Sequence, residues 1–314
     1  MVNLHTQSEI KHRDTQGYVK TTAAQVKSEL EHQKGYPAGS FCTSTVNNML
    51  NRLGYTLKKV RKTLPLRRIA ATDAIFENIA YHRCQNKPGV LQISVDVKDK
   101  VKVGALSRGG YCRSKEAVKA YDKDQHWEQI LVPLGILEIA SAKATVIVGN
   151  SRETSDFIVD GLEKWYELRK EEIKKYHTLE VYLDNGPAVA SHRTQFINRI
   201  MEFCCVTNLK LHLLYYPPYH SKYNPIERVW AALENYWNGT LLSSTEKVMN
   251  TIANVTWKKI KLVPVVMDKV YQKGVTLSKK EMKKREEFIE RNHSLPKWDV
   301  IIKPSLKMGR LFFE

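Results

Sequence analysis

The sequence predicts an α/β fold: a mixed sheet flanked by helices, with a helical segment before it and a basic helical extension after it. Three observations predict this. Residues 89–240 carry strand patterns followed by alternating helix and strand patterns, in the order β-β-β(-β)-α-β-α-β-α. Residues 1–88 and 241–314 show helical periodicity. The chain of 314 residues is 42% hydrophobic and 26% charged, which is ordinary for a globular protein and excludes disorder of the whole.

The first region, 1–88, is helical and basic. A helix is expected from about Thr22 to Gln33, with Ala23, Val26 and Leu30 on one face. Gly35 to Gly39 reads as a turn. A second helix follows, because Val46, Met49, Leu50 and Leu53 stand at i, i+3, i+4 and i+7. Thr43, Ser44 or Thr45 could cap it, and Gly54 suits its end. A basic stretch comes next, including Lys58, Lys59, Arg61 and Lys62. Helix, turn, helix and basic arm together resemble a helix-turn-helix unit that contacts DNA through those four residues. A purely structural helical pair has the same pattern.

The second region, 89–240, holds the sheet. Leu91, Ile93, Val95, Val97, Val101 and Val103 alternate as in strands, and Ser107-Arg108-Gly109-Gly110 suits a hairpin turn. Further strands are expected at Ile130–Ile139, Ala144–Val148, Leu179–Leu183 and Leu211–Tyr216. Three helices alternate with them. Phe157, Ile158, Leu162 and Trp165 mark the first, and Ile197, Ile200, Met201 and Cys204 the second. Ile226, Val229, Trp230, Leu233 and Trp237 mark the third, which is expected to start at Pro225.

The third region, 241–314, reads as helical and Lys-rich, with a capping box formed by Ser278 and Glu281. Its interleaved charges suit a solvated helix face.

Lys and Arg number 50 against 33 Asp and Glu, a difference of +17. Such a field suits a polyanion, and nucleic acid before a membrane. No apolar run approaches the ~20 residues that span a bilayer. The N-terminus lacks the apolar segment of a signal peptide. A cytoplasmic, nucleoid-associated protein is therefore expected. The five cysteines are odd in number and form no C-x-x-C, so neither a disulfide framework nor a zinc ribbon is indicated.

Three carboxylates stand at telling places. Asp96 lies inside an apolar strand, where an unpaired charge is costly. Asp184 lies at a strand end, where α/β sheets place ligands. Glu227 lies in the first turn of a helix, at the edge of its apolar stripe. Each also has a local explanation. Asp96 could pair with Lys98 or Lys100, Asp184-Asn-Gly-Pro could make a turn, and Glu227 could be the third residue of a helix capped by Asn224. Converging, the three would repel one another unless divalent cations joined them. The usual arrangement holds two Mg²⁺ ions ~4 Å apart for in-line phosphoryl transfer. Oxygen ligands select Mg²⁺, with Mn²⁺ as a substitute, over zinc.

The run Tyr215-Tyr216-Pro217-Pro218-Tyr219-His220-Ser221-Lys222-Tyr223-Asn224-Pro225-Ile226-Glu227-Arg228-Val229-Trp230 resembles the third-carboxylate motif of DDE transposases. The wider pattern is similar to the ISAzo-type insertion-sequence transposases. Matching stretches are Gln33 to Tyr36, Ala74 to Glu77, Ser107 to Gly110, Thr154 to Val159, Asp184 to Pro187, Trp237 to Thr240 and Leu295 to Val300. The resemblance implies an RNase H-like core, with Asp96, Asp184 and Glu227 as catalytic and metal-binding triad. It implies Mg-dependent hydrolysis at element ends, then joining of the freed 3′-hydroxyl to target DNA. It also implies a homodimer or larger assembly on DNA, with no membrane and no small-molecule substrate. Family members carry a further DNA-binding region ahead of Met1, so this chain is expected to start inside it. They also tend to have polar residues where Ala188 and Val189 follow the Asp184 motif. His220, Ser221 and Lys222 precede the third-carboxylate helix and are expected either to touch the DNA backbone or to order that helix start. The alternatives are an RNase H-like nuclease that cuts without joining and an inactive remnant that binds DNA.

Overall fold

The computed structural model describes residues 21–58, 68–85, 87–121 and 125–313. The chain divides into two units, one ending at Leu64 and one beginning at Pro65.

The first unit contains α1 (Ala23–Gln33) and α2 (Thr43–Arg52). Thr22 caps α1 in a capping box with Gln25. The cap of α2 is Cys42, whose sulfur accepts from the Thr45 amide, and not one of the three hydroxyl residues after it. Val26 and Val46 are the buried side chains of the two helices. Residues 34–42 connect them, a longer link than the 3–4-residue turn of a helix-turn-helix.

The second unit is built on one large sheet. Its elements run α3 (Thr72–Cys84), β1 (Val90–Val97), β2 (Val101–Val103), β3 (Gln129–Glu138), β4 (Ala144–Gly149), α4 (Ser155–Ile173), β5 (Thr178–Leu183), α5 (Thr194–Thr207), β6 (Lys210–Tyr215) and α6 (Glu227–Trp237). They continue with α7 (Thr245–Asn254), β7 (Thr256–Trp257), β8 (Ile260–Lys261), β9 (Val263–Met267), α8 (Lys279–Glu286), β10 (Ile289–Arg291), β11 (Asp299–Ile302) and α9 (Leu306–Phe313). The strand order is β10-β11-β6-β5-β1-β3-β4-β9, with β2 also paired to β3. β1 is antiparallel to β3 and parallel to β5, and β5 is parallel to β6. This mixed centre is the RNase H-like arrangement.

Alternation sorts the strands' side chains onto two faces. Leu91, Ile93, Val95, Leu179, Val181, Leu183, Leu211 and Leu213 join a core with α4 and α5. On the opposite face, α6 and α7 cover β3 and β4 through Ile226, Trp230, Trp237 and Val248. Farther along that face α3 lays Ile75 and Ile79 against Tyr182 and Leu214.

Two details differ from the sequence expectation. Residues 107–110 do not close a hairpin, because a long connection separates β2 from β3. The C-terminal region is also not wholly helical. β9 extends the sheet beside β4, and β11 with β10 extends it beside β6. Val265, Met267, Val300 and Ile302 find their apolar partners only across these long-range pairings, so local periodicity does not announce them.

Candidate active site

Asp96 and Asp184 leave neighbouring parallel strands at the same level. Val95 pairs with Leu183; Asp96 is the next residue of β1, and Asp184 directly follows the last residue of β5. Both belong by alternation to the face that carries α6. Glu227 opens α6. A small cleft at these strand ends is lined by Asp96, Asp184, Gly186 and Glu153.

Buried groups hold α6 in place. Ser94, on β1, presents its hydroxyl to both sides of the turn before the helix. It accepts from the Ile226 amide at 2.9 Å and lies 2.5 Å from Asn224 Oδ1, to which it donates. Asn224 Nδ2 donates to the Val95 carbonyl at 3.0 Å. Asn224 is therefore not the helix cap that its position beside Pro225 suggests. Its side chain turns inward and ties the turn to β1. The helix starts two residues later than Pro225, at Glu227, and Ile226 holds the cap position without a side-chain capping bond.

Asp96 does not pair with Lys98. Its Oδ2 accepts from the Trp230 indole at 2.9 Å. Gly135, the register partner of Asp96 on β3, makes room for that indole. A methyl group at Gly135 would come within 2.5 Å of the Trp230 ring. Lys98 instead meets Glu234 at 2.5 Å, and Arg108 reaches the same carboxylate at 3.3 Å. Glu234 thus holds two cations on the far turn of α6 from Glu227.

The electrostatics are unfavourable to charge. Burial, then the proximity of Asp184 and Glu227, pushes the Asp96 carboxyl up to about 8. Burial also raises Asp184, against the Gly186 amide that donates to its Oδ1 at 3.2 Å. Desolvation raises Glu227, opposed by the Ser221 hydroxyl and by Lys98. Glu153 is a fourth carboxylate that sequence reasoning passes over. Desolvation and then Asp184 raise it as well. Its only sequence signal is its place just before Thr154, the N-cap of α4.

Of the loop residues expected at DNA, His220 is buried, and its Nδ1 donates to the Pro218 carbonyl at 2.7 Å. Its ring packs edge-on against Phe76 of α3. These contacts brace the loop ahead of α6, which fits the second of the two roles expected for His220, ordering the helix start. Ser221 commits its hydroxyl to Glu227. Lys222 is exposed, with its ammonium over the Tyr223 ring. In the first unit Lys58 is exposed, whereas Lys59, Arg61 and Lys62 lie outside the described residues.

A family model, the Rhodopirellula transposase DDE domain, matches residues 1–304. The chain belongs to this family. It is thereby a DDE transposase, the class of enzyme that cleaves and joins DNA phosphodiesters. No curated protein matches the transposase. Among solved structures it is similar to a Mos1 transposase paired-end complex with the left transposon end, with 10% identity, a TM-score of 0.46, and 77% of this chain and 72% of that one covered. It is likewise similar to a Mos1 mariner paired-end complex with Mn, at 11% identity and a TM-score of 0.45, covering 73% and 65%. A simian T-cell lymphotropic virus intasome aligns at 14% identity and a TM-score of 0.33, covering 82% and 81%. Among the described residues of the transposase no helix is long and apolar enough to cross a membrane.

Proposed function

We propose that Asp96, Asp184 and Glu227 are the catalytic triad, and that they hold two Mg²⁺ ions, replaceable by Mn²⁺. The observation that carries this reading is the convergence of three carboxylates from β1, the end of β5 and the head of α6, each raised in pKa by burial, with neighbouring carboxylates adding to the rise of Asp96 and Glu227. Such a site is costly to ionise without counterions and is well satisfied by hard divalent cations, whose preferred ligands are carboxylate oxygens. The donor set therefore fits the metal that the family implies. When bound, the cations would supply charge stabilisation for phosphoryl transfer and an activated attacking oxygen.

The chain's own groups do the positioning. Trp230 fixes one oxygen of Asp96 and leaves Oδ1 for the cleft. The Gly186 amide orients Asp184, and Ser221 orients Glu227. Glu153 adds a further oxygen at the same cleft. In the first reaction water attacks an end phosphodiester, and the 3′-oxygen leaves as a hydroxyl. In the second that hydroxyl attacks target DNA. Lys222, with Lys58, Lys59, Arg61 and Lys62, supplies sequence-independent phosphate contacts. Assembly as at least a dimer follows from the need to join two ends. The soluble, nucleoid-associated location belongs to the same proposal.

The test is incubation of the protein with Mg²⁺ and a duplex bearing the terminus of its element. Joined products support the transposase. Cleavage without joining supports a nuclease, and binding without either supports a remnant. Asp184→Asn and Glu227→Gln are expected to lower cleavage and joining at least a hundredfold while DNA binding persists. Undiminished cleavage by either variant overturns the triad. Glu153→Gln is expected to have a smaller effect, about tenfold.

A further inference from the structure

A second cluster of metal-ligating side chains lies on the α3-covered face of the sheet, away from the carboxylate cleft. Glu180 precedes Asp184 by four residues on the same strand direction, about 13 Å. His212 is its register partner on β6. Asp299 begins β11, the next strand. His82 comes from the last turn of α3, on the stripe that buries Ile75 and Ile79.

The polar atoms are arranged in an unusual way for a closed hydrogen-bond network. Ligand atoms of His82, His212 and Asp299 all lie within 4.8 Å of one another. His82 Nδ1 is buried and has no hydrogen-bond partner. It stands 3.5 Å from Glu180 Oε1, and His212 Nδ1 stands 3.8 Å from the same oxygen. Both separations are too wide for good hydrogen bonds. The His82–Glu180 separation is close to the spacing of about 3.3–3.4 Å between ligand atoms around a tetrahedral ion with bonds of 2.0–2.1 Å; Glu180 faces His212 at Nδ1 and Asp299 faces it at Nε2, so one ion takes one side of that ring.

The outer partners point the same way. Each carboxylate has one oxygen pinned from outside and the other turned to the imidazoles. Asp299 Oδ2 accepts from Asn78 at 3.1 Å and from Asn292 at 3.0 Å. Asp299 Oδ1 faces His212 Nε2 at 2.7 Å. Glu180 Oε2 accepts from Gln92 at 2.9 Å and from Tyr182 at 3.2 Å. Anchored carboxylates next to imidazoles are the usual support of a metal site.

We propose that His82, His212 and Asp299, with Glu180 Oε1 beside them, bind one zinc-class divalent cation. Imidazole nitrogen selects zinc, cobalt or nickel over magnesium, so this site and the carboxylate cleft differ in the metal they take. The ion would tie α3 to β5, β6 and β11. Ligation requires a neutral imidazole.

The test uses the untagged full chain, stripped with chelator and titrated with ZnCl₂ in excess Mg²⁺. One tightly bound Zn²⁺ per chain is expected, with a rise in melting temperature. Titration with Co²⁺ is expected to give visible d–d absorption bands. The same binding is expected in an Asp184→Asn background, which separates this site from the carboxylate cleft. His82→Gln and, independently, Asn78→Ala are expected to weaken zinc at least tenfold, with the Co²⁺ bands lost in the first. Zinc binding that is absent in the parent chain, lost in the Asp184→Asn background or unchanged in His82→Gln overturns the proposal. Because Asn78 reaches the site only through Asp299, its variant keeps the test informative if His82→Gln fails to fold.

Discussion

Asp96 shows how the surroundings of a single residue change its chemistry. It sits in a strand that the sequence marks as apolar, opposite a glycine and against an indole. With its carboxyl raised to about 8, protonation stabilises the folded state relative to the unfolded chain, where aspartate titrates near 4. That contribution is complete below about pH 4 and is lost as pH rises toward 8. Melting in chelator should therefore fall over this window. Asp96→Asn should melt higher than the parent chain at pH 8.5 in chelator, and should be catalytically dead. A variant that melts lower there would contradict the assigned repulsion. The choice of Asp96 was legible from the cost of a charge in an apolar strand. The Trp230 and Gly135 partnership was not, because it joins positions far apart in sequence.

At the scale of elements, the third-carboxylate helix is the instructive case. Its apolar stripe at Ile226, Val229, Trp230, Leu233 and Trp237 was readable as a helix, and those residues are buried. The role of Asn224 was misread, since Asn-Pro before a helix is ordinarily a cap signal. Its two buried bonds go to β1 instead. Asn224→Ala would leave the Val95 carbonyl without its donor and remove the acceptor of the Ser94 hydroxyl. A loss of about 1–3 kcal/mol is expected for buried partners left unmade, measured by urea unfolding. Cleavage should fall with it, because Glu227 hangs from this turn. Unchanged stability would show that the turn stands without the staple. The strands at 263–267, 289–291 and 299–302 are the opposite case. They are short and lie among Lys-rich sequence, and they are strands only because the sheet offers them an edge.

For the whole molecule, the surplus of 17 positive charges is expected to set how DNA is held. Contacts to phosphates release counterions, so affinity should fall steeply with salt. For a non-specific duplex, a loss of at least tenfold between 50 and 200 mM NaCl is expected by fluorescence anisotropy. A flat response would argue that the surplus charge is not used on DNA.

The sequence alone determined the alternation that builds the central sheet, the helices between its strands and the places of the three proposed carboxylates along them. These are properties of period, propensity and motif, which neighbouring residues carry. Tertiary structure decided which groups surround those carboxylates, including Glu153, the fate of His220 as a buried brace, and the meeting of His82, Glu180, His212 and Asp299. Those outcomes depend on strand order and register, and register brings together residues that no local pattern relates.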